Sequence, residues 1–220
     1  MVLYLVSTPI GNLEDITLRA LRILKQVDLI AAEDTRQTRK LLSHYKIRNR
    51  ITSFNDNNKD RKTPLIINKL NQGQSIAVVS DAGTPGISDP GFYLVRECVK
   101  QNIVVVPVPG PSSFIAALVS SGLPTDSFSF YGFLPKKEKK KRDFFEAIKD
   151  KKETVVVYES PYRIIKTLEL MVETIPNHNV VVARELTKIF EEFVRGKPKE
   201  VLEHFKSKNI KGEFVLVIGK

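Results

Sequence analysis

The sequence predicts an α/β protein with mostly parallel or mixed sheets. Short apolar runs, such as Ile76-Ala77-Val78-Val79, alternate along the chain with amphipathic segments of helical period. Polar loops rich in Gly and Pro follow many of the apolar runs, and no heptad or solenoid repeat is present. A repeated order of strand and helix is typical of a sheet whose faces are covered by helices.

The pattern predicts each element in turn. In the first half, we expect strands at residues 3–7, 28–32, 51–54, 75–79 and 103–108, and helices within 12–26 and at 38–44, 63–71 and 91–101. In the second half, we expect helices at 112–121, 143–149, 164–174 and 201–207, and strands at 127–133, 154–158, 180–184 and 213–218. The stiff segment Pro107-Val108-Pro109-Gly110-Pro111 separates the halves, which predicts domains at residues 1–108 and 112–220.

Composition narrows the class of protein. No apolar run reaches the roughly 18 residues that a membrane span needs, and the start of the chain is typical of a first strand rather than of a signal peptide. The single cysteine, Cys98, favours a reducing, cytoplasmic setting. The formal net charge of +10 favours an anionic partner such as nucleic acid.

Several standard sites are missing from the sequence. No G-x-G-x-x-G follows the first predicted strand, and there is no Walker A loop and no G-x-S-x-G elbow. His44, His178 and His204 are scattered, and with one cysteine in the chain we expect no metal site.

Polar clusters stand where the predicted strands end. They lie at residues 7–11, 33–36, 80–91, 110–113, 159–161 and 184–188. In α/β sheets, ligands bind at the carboxyl ends of the strands, so the long loop 80–91 is the first candidate binding site. Its three glycines allow a close approach of backbone to a ligand, whereas an elaborate turn is the structural alternative.

The same segments resemble the ribosomal RNA small subunit methyltransferase I family, in the tetrapyrrole (corrin/porphyrin) methylase superfamily. The resemblance runs from Leu3 to Gly219. It implies two α/β domains with S-adenosylmethionine in a cleft between them, usually as a homodimer. It also implies methyl transfer to the ribose 2′-oxygen of a cytidine in the decoding centre of 16S rRNA. Family members usually continue with a small helical domain, which we expect to be absent because this sequence ends at Lys220.

The resemblance also assigns residues to the cofactor. Pro9 and Gly11 would flank it, Gly83, Thr84 and Ile87 would approach its methionine half, and Glu159 and Leu186 would line its adenosine side. The full set of expected cofactor contacts is Pro9, Gly11, Asp81, Gly83, Thr84, Ile87, Ser112, Ser113, Glu159 and Leu186.

A positioned carboxylate can remove the proton of a sugar hydroxyl. The candidates are Glu33, Asp34, Asp81 and Glu185, of which we expect one at most to act as the base. The candidate phosphate contacts are Arg36, Lys139, Lys140, Lys141, Arg142 and Arg184. The structural alternatives are ion pairs and helix caps for the carboxylates, and a solvated helix start for the lysine run.

Two other functions stay open at this point. A methyltransferase acting on a tetrapyrrole or another small molecule would use the same fold. A non-catalytic RNA-binding assembly factor would use the basic charge without the cofactor.

Overall fold

The computed structural model describes residues 1–220, which divide into two compact units, Met1–Ser112 and Ser113–Lys220. The first unit holds one parallel sheet with strand order β3-β2-β4-β1-β5. Its strands are β1 (Val2–Val6), β2 (Leu29–Ala32), β3 (Ile51–Ser53), β4 (Ser75–Val79) and β5 (Val104–Val108). Its helices are α1 (Leu18–Gln26), α2 (Thr35–His44), α3 (Lys59–Asn71) and α4 (Gly91–Lys100).

Helices cover both faces of this sheet. The apolar sides of α1 and α2 pack with Val6, Ile30 and Val79 in one cluster, and those of α3 and α4 pack with Leu3 and Ile76 in the other. Buried parallel strands are apolar on both faces, which is why β4 reads as a continuous apolar run. Because all five strands are parallel, their carboxyl ends share one edge, here called the first carboxyl edge.

The second unit holds a mixed sheet with strand order β6-β7-β10-β8-β9. Its strands are β6 (Phe128–Phe133), β7 (Thr154–Glu159), β8 (Asn179–Arg184), β9 (Glu192–Gly196) and β10 (Phe214–Gly219). Its helices are α5 (Ser113–Val119), α6 (Glu138–Ile148), α7 (Ile164–Thr174) and α8 (Pro198–Lys206). Strands β7 and β8 both run antiparallel to β10, so Glu159 and Arg184 flank Phe214 at one edge, the second carboxyl edge. The α/β class predicted from the sequence is confirmed.

Several elements differ from the prediction. Strand β9 was not predicted from the sequence. It is an edge strand that pairs only with β8, and none of its residues is buried, so it has no apolar pattern to reveal it. Helix α6 begins five residues before the expected Asp143, so the lysine run lies inside the helix. Helix α2 begins at Thr35, since the Asp34 side chain caps it by accepting the Arg36 N–H.

None of the eight helices has the length and apolar character that a membrane crossing requires.

Candidate active site

The loops after β1 and β4 are joined at the first carboxyl edge by backbone hydrogen bonds. The N–H of Thr8 donates to the carbonyl of Gly83 at 2.9 Å, and the N–H of Gly83 donates to the carbonyl of Thr8 at 3.0 Å. The buried Thr8 hydroxyl also donates to the carbonyl of Ser80. The loop that the sequence singles out at residues 80–91 is therefore fixed against the end of β1.

The side chain of Thr84 joins a third loop to this pair. Its hydroxyl donates to the carbonyl of Pro111 at 3.2 Å, and the Ser7 hydroxyl lies 3.0 Å from the same oxygen. With its proton engaged by Pro111, the Thr84 oxygen accepts from Ser7. One hydroxyl thus links the loops after β1, β4 and β5.

Two glycines allow these loops to come close together. Gly83 has a φ of +80°, and a Cβ at this position would lie 3.3 Å from the Ile10 side chain. A Cβ at Gly110 would lie 2.9 Å from the Cβ of Ser7, closer than real side chains approach. Both positions require glycine; Gly83 lies buried between the loops, whereas Gly110 is exposed.

A pair of carboxylates lies beside the joined loops. The N–H of Asp81 donates to Glu33 Oε2 at 3.2 Å, and the N–H of Asp34 donates to Asp81 Oδ1 at 2.9 Å. Burial raises the pKa of the Glu33 carboxyl, the Asp81 N–H opposes the rise, and the charge of Asp81 adds to it. Burial likewise raises the pKa of the Asp81 carboxyl. These two candidates therefore hold a proton more readily than ordinary carboxylates do.

Asp34 has the opposite environment. The guanidinium of Arg36 contacts both of its oxygens, with Nη2 at 2.6 Å from Oδ2. These hydrogen bonds lower the pKa of the Asp34 carboxyl to about 2. Such a carboxylate is a weak base, so the structure argues against Asp34 as the base. Arg36 is 82% exposed, so its predicted phosphate contact stays a prediction.

At the second carboxyl edge, Glu159 is buried and fully paired. Its carboxylate accepts from Lys141 Nζ at 2.9 Å, from Arg163 Nη2 at 2.6 Å and from the Thr167 hydroxyl at 2.6 Å. The N–H of Ser160 donates to Oε1 as well. The Glu159 side chain has no exposure and is held within the protein, so the expected cofactor contact of this residue stays a prediction that only its backbone could meet.

Lys141 was expected to contact phosphate, and this prediction is wrong. Its side chain is 6% exposed and its ammonium donates to Glu159 and Thr167. The reason is helical period: Lys141, Phe145 and Ile148 form the buried stripe of α6. Lys139 and Lys140 are exposed, whereas Arg142 pairs with Glu173 at 2.7 Å while staying 42% exposed.

The hairpin between β8 and β9 carries the remaining candidates. Arg184 is 15% exposed, donates from Nε to the carbonyl of Lys211 and pairs with Glu192 at 3.5 Å, and its expected phosphate contact stays a prediction. Burial alone would raise the pKa of the Glu185 carboxyl, but Lys188 and the N–H of Glu213 outweigh burial and lower it. Glu185 is thus a weak candidate for the base.

Four of the expected cofactor contacts lie in the joined loops of the first unit and are exposed or half-buried: Pro9, Gly11, Ile87 and Ser112. In the second unit, Leu186 is buried and the Ser113 hydroxyl lies 2.9 Å from the Tyr158 hydroxyl. Their contacts stay predictions. A groove of ≈ 470 Å³ between α3 and α4 contains none of the predicted site residues.

The sequence analysis did not predict the structural role of Ser7 and Thr8, whose hydroxyls hold the loops together. The available signal was a pair of hydroxyl residues directly after a buried strand, since buried hydroxyls need partners.

Known proteins resemble this chain over nearly its whole length. The ribosomal RNA small subunit methyltransferase I of Halalkalibacterium halodurans is 50% identical over 216 residues, which cover 98% of this chain and 75% of that protein. The protein of the same name from Thermotoga maritima is 46% identical over 217 residues, covering 99% of this chain and 97% of that protein.

Solved structures with the same fold are more distant in sequence. Uroporphyrin-III-C-methyltransferase from Thermus thermophilus matches with a TM-score of 0.69 at 19% identity, covering 100% of this chain and 94% of that one. A structure of uroporphyrin-III C-methyl transferase from the same organism, complexed with S-adenyl homocysteine, matches with a TM-score of 0.67 at 17% identity, covering 100% of this chain and 98% of that one. The family model for tetrapyrrole (corrin/porphyrin) methylases matches residues 2–202. Together with the near-full-length relatives, this match shows that the chain belongs to the tetrapyrrole (corrin/porphyrin) methylase family.

Proposed function

We propose that the protein is an S-adenosylmethionine-dependent methyltransferase that acts on the ribose 2′-oxygen of a cytidine in the decoding centre of 16S rRNA, in the small ribosomal subunit. The observation that carries the proposal is 50% identity, over 98% of this chain, to a protein named ribosomal RNA small subunit methyltransferase I. The joined loops, the paired carboxylates beside them and the net charge of +10 support it.

The residues of the first carboxyl edge suit this cofactor. Gly110 is exposed and leaves its backbone uncovered by a side chain, which a ligand with an amino acid half can use. Glu33 and Asp81 place negative charge near a site for a sulfonium cation. When bound, the cofactor supplies a methyl group that is already electrophilic. The protein must then hold the ribose oxygen in line with that methyl group and accept the proton of the ribose hydroxyl.

We propose Glu33 as the residue that accepts the proton. It is more deeply buried than Asp81, and its Oε2 is fixed by the Asp81 N–H, which leaves Oε1 to face a hydroxyl group. Burial and the neighbouring negative charges raise its pKa, which brings its basicity closer to the operating pH. Asp81 would then position Glu33 through its backbone N–H.

The hydroxyl of Thr84 is expected to control cofactor affinity through the joined loops. Thr84→Val keeps the shape but removes the links to Ser7 and Pro111, which we expect to cost about 1 kcal/mol of stability and to weaken cofactor binding about tenfold. Isothermal titration with S-adenosylhomocysteine measures this change. Thr84→Ser retains the hydroxyl and should bind nearly as the wild type does. Equal affinity of the Val variant and the wild type would show that the linked loops do not form the cofactor site.

Transfer of labelled methyl groups tests the proposed activity directly. Purified protein with labelled S-adenosylmethionine should label the RNA of small ribosomal subunits that lack the modification. It should leave large subunits and tetrapyrrole precursors unlabelled. Labelling of a tetrapyrrole would favour a small-molecule methyltransferase, and stabilisation by the cofactor without any transfer would favour an assembly factor.

We propose a homodimer, on the general frequency of two-fold pairs and on exposed apolar side chains such as Val104, Val119 and Phe133. Sedimentation velocity at micromolar protein would contradict this if it found only the 24.9 kDa monomer. The cytoplasm is the compartment in which a ribosomal substrate would be met.

A further inference from the structure

We propose that the solvent side of α1, α2 and the segment that follows them binds the phosphate backbone of the RNA substrate. This surface, here called the basic face, consists of Arg19, Arg22, Lys25, Arg39, Lys40, Lys46, Arg48 and Arg50. The inference rests on the proposed function, because it names how that substrate is held.

The cations of the basic face are free of ion pairs, although the Asp28 carboxylate is an anionic neighbour of Arg50. All eight of these cations are exposed. The only ion pair in residues 19–50 is that between Arg36 and Asp34. Exposed cations outside ion pairs keep most of their attraction for a polyanion, and each one that neutralises a phosphate releases a counterion.

The opposite helix layer of the same unit differs. On α3 and α4, Lys59 pairs with Asp56, and both Arg96 and Lys100 pair with Glu97. Both layers cover the same sheet and carry polar outer sides, so solubility alone does not account for the difference. Arg61 and Lys69 on α3 are also exposed without an ion pair, but the basic face carries eight such cations, and this excess points to a partner for that layer.

Helical period places the cations on one side. In α1, Ala20, Ile23 and Leu24 are buried in the core, which leaves positions 19, 22 and 25 on the outer side. In α2, Thr38, Leu41 and Leu42 are buried, which leaves positions 36, 39 and 40 outside. The two helices pack in the same core cluster, so their outer sides form one surface.

Two grooves lie on the basic face. One, of ≈ 560 Å³, lies between α1 and the segment after α2 and is lined by Arg22 and Lys25. The other, of ≈ 290 Å³, is lined by Arg39 and Arg48. Ile47 lines both, so the two grooves are neighbours and four cations line them together.

The position of the basic face suits a long polyanion. Helix α2 begins at the first carboxyl edge, directly after Glu33 and Asp34, and Arg50 precedes β3 at the opposite edge. The face therefore extends from the proposed catalytic carboxylate across the height of the sheet. An RNA strand bound along the basic face would reach the proposed active site at one end. A small anionic molecule would contact only a fraction of the positive charge on this face.

Two variants with the same loss of four positive charges test this inference. The first replaces Arg22, Lys25, Arg39 and Arg48 with Ala, and the control replaces Arg61, Lys69, Arg96 and Lys100 with Ala on the α3–α4 layer. Both sets are exposed, so both variants should fold, which thermal unfolding checks. Binding to naked 16S rRNA is measured over a series of KCl concentrations, and methyl transfer to small subunits is measured as kcat and KM.

The first variant should reduce the slope of log affinity against log salt by about 3, and the control by less than about 1. The first variant should also raise the KM for subunits about tenfold with kcat and cofactor affinity retained. Equal salt slopes in the two variants would overturn the inference. A raised KM for subunits with an unchanged salt slope on naked RNA would also overturn it, because the face would then bind a ribosomal protein. The RNA-binding slope needs no methyl transfer, so failure of the wild type to methylate subunits would refute the proposed function separately.

Discussion

Replacing Lys141 with Ala is expected to destabilise the second unit by about 3 kcal/mol. The substitution removes the ammonium from a carboxylate that has no exposure to solvent, and it also removes the packing of the lysine stem against the core. The cost stays at the lower end of the range for broken buried ion pairs, because Arg163 and Thr167 still contact Glu159. Urea unfolding followed by circular dichroism measures it.

Lys140 provides a matched control for this substitution. It is the same residue type on the same helix, one position away, but it is exposed and has no ion pair. Lys140→Ala should change stability by less than about 0.5 kcal/mol. If the two variants unfold at the same urea concentration, the buried contact between α6 and β7 does not stabilise the protein as the structure indicates.

Replacing Glu33 with Gln should lower kcat for methyl transfer about 10²–10⁴-fold, because Gln cannot accept the proton of the ribose hydroxyl. The binding of S-adenosylhomocysteine should be unchanged within about twofold, since Gln retains an oxygen for the Asp81 N–H. Asp34→Asn is the matched control: it removes a neighbouring carboxylate, Asn still caps α2, and kcat should fall far less.

The pH dependence of the rate follows from the direction of the Glu33 pKa shift. Burial raises the pKa of this carboxyl above its usual value of 4.5, and the base works only when deprotonated. The rate should therefore be full above the raised pKa and fall as the pH is lowered through it. The residual activity of Glu33→Gln should lack this decline. An identical decline in the variant would assign the titration to another group and remove Glu33 from the reaction.

Much of the fold could be predicted because the residues of the buried strands form apolar runs that are visible in the sequence. The run at 75–79 and the helix at 164–174 were predicted with the bounds that the structure shows, since each has a clear apolar pattern. Strand β9 lacks such a pattern, because an edge strand that pairs on one side needs no continuous apolar run. Its place is set by the neighbouring strand β8 rather than by its own residues.

The site was predictable in position but not in its contacts. The polar clusters at the strand ends do lie at shared carboxyl edges, because parallel strands bring them there. The helical period of α6 places Lys141 on its buried side, but no local pattern could show that its partner there would be Glu159, which lies 18 positions along the chain on another element. The linking of three loops by Thr84 likewise depends on tertiary contacts between distant segments.

The position of the methyl group on the product tests the central claim most directly. Small subunits that lack the modification are incubated with the protein and S-adenosylmethionine, and the RNA is digested and sequenced by mass spectrometry. The account predicts one new methyl group, on the ribose 2′-oxygen of a cytidine in the decoding centre of 16S rRNA. A methyl group on a base, on RNA of the large subunit, or on no RNA at all would contradict it.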